Sequence, residues 1–147
     1  MASRIQVVFD CVDPDLLTRF WALALGYRIE DPPAGFDDWR SYWAHVGLPE
    51  DELVDSGDSI VDPDGVGPRI WFQVVPEGKV VKNRVHLDID VSGGRAVPLD
   101  VRRQRVLAEA DRLVEAGATR LRVLEQEGLD HFGVVMHDPE SNEFCLH

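Results

Sequence analysis

Twice along its length the sequence runs through the same series of local signals. "RIQVVFDCV" (4 to 12) is dense in the β-branched residues that suit a half-buried strand, and it leads into "DPDLLTRFWALALGY". Asp13 can accept from the unpaired N–H groups of the next turn, Pro14 suits the first helical position, and Gly26 can take the left-handed conformation beyond the last. That spacing predicts a strand followed by a helix of about three turns. "YRIED" reads as a short strand closed by Pro32 and Pro33, and "RIWFQVV" (69 to 75) as a further strand after the turn cluster "DPDGVGP". The series restarts at "NRVHLDIDV" (83 to 91). A helix over "VPLDVRRQRVLAEADRLVEAG" stops at Gly117, and "ATRLRVLEQ", "FGVVMHD" and "NEFCLH" follow as strands. Arg4-Ile5-Gln6 aligns with Arg84-Val85-His86, Gly26 with Gly117, and Phe72-Gln73-Val74 with Phe144-Cys145-Leu146. The pattern is a βαβββ unit written twice.

One such unit has a helix for only one face of its sheet. The predicted fold is therefore α+β, with two βαβββ modules in tandem whose remaining faces line a concave, partly open cup with the helices outside. At 147 residues and 44% hydrophobic, the chain can hold one well-cored domain or two small modules sharing a core. The expected division is module one at about 1–76, a linker over about 77–83 within "PEGKVVKN", and module two at about 84–147. Residues 34 to 59 carry the weakest local signals. There "DDWRSYWAHVG" can form a short helix and "LPEDELVDSGDS" an acidic loop.

Neighbours along a strand face opposite sides, so parity sorts the strand residues. Ile5, Val7, Phe9, Ile70, Phe72, Val74, Val85, Leu87, Ile89, Val91, Phe144 and Leu146 are assigned to the helix side. Gln6, Val8, Asp10, Trp71, Gln73, Val75, His86, Asp88, Asp90, Glu143, Cys145 and His147 are left for the cup. On the helices, Leu16, Leu17, Phe20, Leu23 and Ala24 form one apolar stripe, and Val106, Leu107, Ala110, Leu113 and Val114 the other.

Charge narrows the partners. With 15 Lys+Arg against 27 Asp+Glu the net charge is −12, which repels phosphate backbones and anionic lipid and favours cationic ligands. Neither nucleic acid nor a membrane is an expected partner. Cys11 and Cys145 are too few for a disulfide framework, "MASRIQVVFD" has no apolar signal region, and no apolar run is long enough to cross a bilayer. A cytoplasmic protein with reduced thiols is expected.

In its order of segments the chain resembles the vicinal oxygen chelate superfamily of glyoxalase I, bleomycin-resistance proteins and extradiol dioxygenases. The resemblance covers nearly the whole chain, and "PRIWFQ", "NRVHLDI" and "DPESNEFC" are closest to strings of the bacterial glyoxalase-like branch. It implies a small-molecule site in the cup and a homodimer. In the enzymes, one residue from the first and one from the last strand of each module bind a divalent metal. The matching positions are Gln6, Gln73, His86 and Cys145. Two glutamines bring only neutral amide oxygens, and a cysteine at a carboxylate position biases the site towards a thiophilic ion such as zinc. The set weighs against the full metal site of glyoxalase I, and a divalent metal is not the favoured cofactor.

Two function classes remain. In the first, Gln6, Trp71, Gln73, His86, Asp88 and Cys145, with Trp39 and Trp43 as stacking surfaces, hold a small organic molecule without chemistry. In the second, the protein is a metal-dependent lyase, isomerase or dioxygenase with Glu143 as general base, or a metal-free enzyme with Glu143 or His86 as proton carrier. Each residue also has a structural reading. His86 can be a hydrogen-bonded inward histidine, Cys145 a small buried hydrophobe, Trp71 core, and Trp39, Tyr42 and Trp43 a helix face packed on the core.

Overall fold

The computed structural model describes residues 1–55 and 57–147; Ser56, inside the acidic loop expected at 50–58, lies outside the described residues. The chain divides into two compact units, Met1–Glu77 and Gly78–His147.

In the first unit the order is β1 (Gln6–Cys11), α1 (Pro14–Leu25), β2 (Arg28–Ile29), α2 (Trp39–Val46), a single 3-10 turn at Glu50–Glu52, β3 (Ser59–Val61) and β4 (Arg69–Val74). The sheet runs β1-β4-β3-β2, with β1 parallel to β4 and the other pairs antiparallel. The N-terminal signals of α1 act as expected, since the Leu16 N–H donates to Asp13 Oδ1 at 3.0 Å and Gly26 sits at φ 67°. The buried face of α1 is Leu17, Phe20, Trp21 and Ala24, packed on Ile60, Ile70 and Phe72. Phe9 completes this core with ring centroids 5.1 Å from Trp21 and 5.5 Å from Phe72. The stripe is turned from the expected one: Trp21 is buried and Leu16 and Leu23 are exposed. Positions 17, 20, 21 and 24 also follow helical spacing, and putting the large indole at the centre removes more apolar area from water. Ile5 and Val74, expected under the helix, are exposed because they stand at the two ends of the β1–β4 ladder.

The second unit repeats the course as β5 (Asp88–Ile89), α3 (Leu99–Glu115), β6 (Thr119–Glu125), β7 (Phe132–His137) and β8 (Glu143–Leu146). Its sheet is β5-β8-β7-β6, with β5 parallel to β8 and an irregularity in β6 between Arg120 and Arg122. Val106, Ala110 and Leu113 of α3 are buried with Val134, Met136, Phe144 and Leu146, while Val114, expected in that stripe, is exposed. The chief departure is β5. A strand was expected over 83 to 91, yet only Asp88–Ile89 is one, the chain bends at Arg84 and Val85, and Val85 is 82% exposed. β5 pairs with β8 only at Asp88 and Ile89, and the backbone bonds around that ladder run from the Cys145 N–H to the Leu87 carbonyl, from the His147 N–H to the Ile89 carbonyl and from the Val91 N–H to the His147 carbonyl. Upstream, the Asn83 N–H donates to a side chain, the Glu143 carboxylate.

Each unit is thus a βαβββ arrangement, and the described residues are α+β with three α-helices and two open four-stranded sheets. Among the described residues no helix is long and apolar enough to cross a membrane.

Candidate ligand and metal site

In the first unit, the sheet face turned away from α1 carries Gln6 and Asp10 on β1 and Arg69, Trp71 and Gln73 on β4. Arg69 and Trp71 are tied to neighbouring polar groups. Arg69 Nε and Nη2 donate to Glu30 Oε2 at 2.9 and 2.6 Å, Nη2 also to Ser59 Oγ at 2.7 Å, and Nη1 to Gln6 Oε1 at 2.7 Å. Trp71 Nε1 donates to Asp58 Oδ2 at 2.8 Å, so the indole is tied to the sheet rather than left as a loose platform. Gln6 lies opposite Arg69 and Gln73 opposite Asp10, four positions further along the ladder. At the usual strand rise that is about 13 Å, and the two glutamines are not brought to a common ion.

The segment at Trp39–Val46 is a helix, capped by Asp38 through the Ser41 N–H at 2.6 Å. Trp39 and Trp43 stack with centroids 5.6 Å apart and Tyr42 stands edge-on to Trp39 at 5.8 Å. None of these helix residues is buried, and Trp39 Nε1 donates to the Glu30 carbonyl at 2.9 Å.

The second unit does bring chemistry-bearing residues together. Asp88 lies opposite Cys145 in the β5–β8 ladder, and the His86, Asp88 and Cys145 ligand atoms all lie within 4.8 Å of one another. His86 Nε2 is 3.2 Å from Asp88 Oδ1. Burial pushes the Cys145 thiol pKa up, and the Asp88 carboxylate, to which the thiol donates, pushes the same way against Arg122 and Lys82. A neutral thiol is a poor nucleophile. As a metal donor set the three offer imidazole, carboxylate and sulfur, a mixture suited to zinc-like ions. Tetrahedral bonds of about 2.0–2.3 Å would draw the three atoms to roughly 3.5 Å apart. The exposed His86 and Asp88 side chains can make that adjustment.

Glu143 shares the face but is otherwise committed. Its Oε2 accepts from the Asn83 N–H at 2.8 Å and lies 3.2 Å from Lys79 Nζ, and its Oε1 lies 3.6 Å from His137 Nε2. Burial alone would raise its pKa, but the Asn83 N–H, a further backbone N–H and Lys79 together hold it down at about 2. A carboxylate so stabilised is a weak base. The geometry makes Glu143 a tie between β8 and the segment 79–83.

Beside the cluster lies a cavity of about 500 Å³. His86, Asp88, Asp90, Cys145 and His147 line it, as do Arg95, Arg102, Asp130 and His131. Asp90 is fixed as an anion: burial raises its pKa, but the Ser92 and Gly93 N–H groups, the Ser92 hydroxyl and nearby His147 outweigh that and lower it. Arg95, Arg102 and Asp130 were not singled out from sequence. A signal existed for one of them, because Arg102 falls on the buried stripe with Val106, Ala110 and Leu113, and an arginine there needs a polar reason.

Comparison with known proteins places this geometry. The profile of the glyoxalase-like domain family matches residues 6–147. The chain belongs to that family. A comparison with curated proteins found no match. Among solved structures, the glyoxalase-like domain resembles a glyoxalase/bleomycin resistance protein/dioxygenase family enzyme from Burkholderia phytofirmans PsJN, with 16% identity, a TM-score of 0.57, and coverage of 96% of this chain and 94% of that one. It also resembles the fosfomycin resistance protein FosX from Listeria monocytogenes, with 10% identity, a TM-score of 0.62, and coverage of 100% and 93%. A hypothetical protein from S. aureus is 14% identical with a TM-score of 0.61 and coverage of 99% and 93%. Such identities carry the fold. They agree with the vicinal oxygen chelate resemblance read from the sequence.

Proposed function

We propose that this glyoxalase-like domain binds a small organic ligand on the β5–β8 side of its second unit, without the full metal site of glyoxalase I. The observation that carries the reading is the cavity of about 500 Å³ lined by His86, Asp88, Asp90 and Cys145, which is of the size small-molecule sites have. Similar folds named for fosfomycin resistance and for oxidase activity agree with a site on this scaffold. The ties of Arg69 and Trp71 to their neighbours, and the separation of Gln6 from Gln73, speak against a four-ligand metal centre.

A second reading rests on the proximity of His86, Asp88 and Cys145. In it the three would hold one thiophilic divalent ion, which would supply Lewis acidity towards an oxygen donor, as a metal-dependent lyase, isomerase or dioxygenase requires. His86, rather than Glu143, is then the candidate to move a proton.

Elemental analysis of protein purified without chelators, paired with a thermal-shift screen of aromatic and cationic compounds, separates the two. Compounds that raise Tm in metal-free protein, with the response lost in His86→Ala, support the first reading. Stoichiometric zinc lost in the same variant supports the second, because a ligand of the native state must stabilise it. The family resemblance also carries the expectation of a homodimer, which light scattering checks.

A further inference from the structure

The net charge of −12 favours cationic ligands, yet the cavity has a cationic part of its own. The Arg102 side chain is only 7% exposed. Its Nε donates to the Val97 carbonyl at 2.9 Å and its Nη2 to Asp130, while Nη1 makes no hydrogen bond among the described residues. A guanidinium this far from water is stabilised by every acceptor it can reach, and its one ion partner, Asp130, is itself largely in solvent. Arg95, also lining the cavity, is exposed and has no ion pair among the described residues. Two guanidinium groups, with one carboxylate, Asp130, paired to Arg102 alone, leave this part of the wall short of negative charge. Asp88 and Asp90 make another part of the same wall acidic.

We propose that the cavity takes a small bipolar molecule, with a carboxylate seated against Arg102 and Arg95 and an ammonium-type group against Asp88. This rests on the reading of the cavity as a ligand site and specifies the class of ligand. Carboxylate suits the first position because its two oxygens match the planar fork of a guanidinium. Asp88 suits the second because it is an exposed acid at the cavity wall, whereas the Asp90 Oδ1 is already held by the Ser92 and Gly93 N–H groups.

The test is calorimetric titration of the full chain with a series of ω-amino acids, each beside the amine and the carboxylate of the same length, and with inorganic phosphate. The expected result is at least about tenfold tighter binding of the best ω-amino acid than of either matched half, since each charge-assisted contact is worth roughly that factor. Arg95→Ala should reduce its affinity severalfold towards that of the amine, and Asp88→Asn towards that of the carboxylate. Arg95 is the informative arginine because it is exposed, whereas loss of the buried Arg102 can unfold the unit. An amine that binds as well as its ω-amino acid, an Arg95→Ala variant with unchanged affinity, or phosphate binding more tightly than any carboxylate overturns the proposal. If uncharged aromatic probes still bind with sensitivity to His86→Ala, only the charge assignment falls. If no organic probe binds, the ligand-site reading falls with it.

Discussion

Replacing Glu143 by Gln keeps the shape of the side chain and one acceptor for the Asn83 N–H but removes the charge that Lys79 and His137 face. Folding lowers the Glu143 pKa from 4.5 to about 2. At ~1.36 kcal/mol per unit this difference corresponds to ~3 kcal/mol if the site were dry. Lys79 is close to solvent and the attraction is screened, so the expected loss in Glu143→Gln at neutral pH is ~1–2 kcal/mol. The direction with pH follows from linkage. The unfolded chain binds this proton more tightly than the folded one, so the contribution is complete above the unfolded pKa of 4.5 and is lost as pH falls towards 2. Urea denaturation of the native protein and of Glu143→Gln at pH 7 and pH 3 measures it. The gap between the two should shrink by more than half between these conditions, and Lys79→Met should lose most of its own effect when combined with Glu143→Gln. A gap that stays constant with pH, or none at pH 7, would refute the tie, because a carboxylate held by charge cannot behave as its neutral isostere does.

Three further outcomes follow from the packing and the site. Phe144 is fully buried, so Phe144→Ala should cost ~3–5 kcal/mol in urea denaturation and Phe144→Leu distinctly less, since the cavity left is smaller. Asp13→Ala removes the acceptor that holds the Leu16 N–H and should cost ~1 kcal/mol, read as a fall in Tm. In metal-free protein, Asp88→Asn removes the carboxylate that helps push the Cys145 thiol up, so alkylation of Cys145 near pH 8 should become faster; an unchanged rate would show that burial alone sets it.

The repeat was legible because it is written in features that act locally. Asp13, Pro14 and Gly26 delimit α1 wherever the rest of the chain goes, and the alternation in "NEFCLH" places Phe144 and Leu146 inside and Glu143, Cys145 and His147 half-exposed, as the strand does. What failed depends on partners. The apolar alternation of "NRVHLDIDV" is a good strand pattern, but a strand forms only where a neighbour pairs with it, and β8 pairs with Asp88 and Ile89 alone. Trp21 in place of Leu16 and Leu23 is a packing choice among stripes that the sequence makes equally periodic. At the site, the meeting of His86, Asp88 and Cys145 was within reach of parity, whereas the ties of Glu143 to Asn83 and Lys79 join segments some 60 residues apart and leave no local pattern.

The two units show how one course of elements can give opposite outcomes on the sheet face that the helix leaves uncovered. In the first, β1 is paired along six residues, which fixes Gln6 against Arg69, and Arg69 donates four hydrogen bonds, to Glu30, Ser59 and Gln6. A guanidinium so engaged has little left to offer a ligand. In the second, the ladder covers only Asp88 and Ile89, and His86 stands outside it on bent chain. Its ring is held by one contact to Asp88 rather than by strand geometry, and Asp88 and Cys145 remain able to rearrange around an incoming group. Shortness of an edge strand is usually read as a defence against unwanted pairing. Here it has a second effect, since His86, left outside the ladder, lines the cavity beside the paired Asp88 and Cys145.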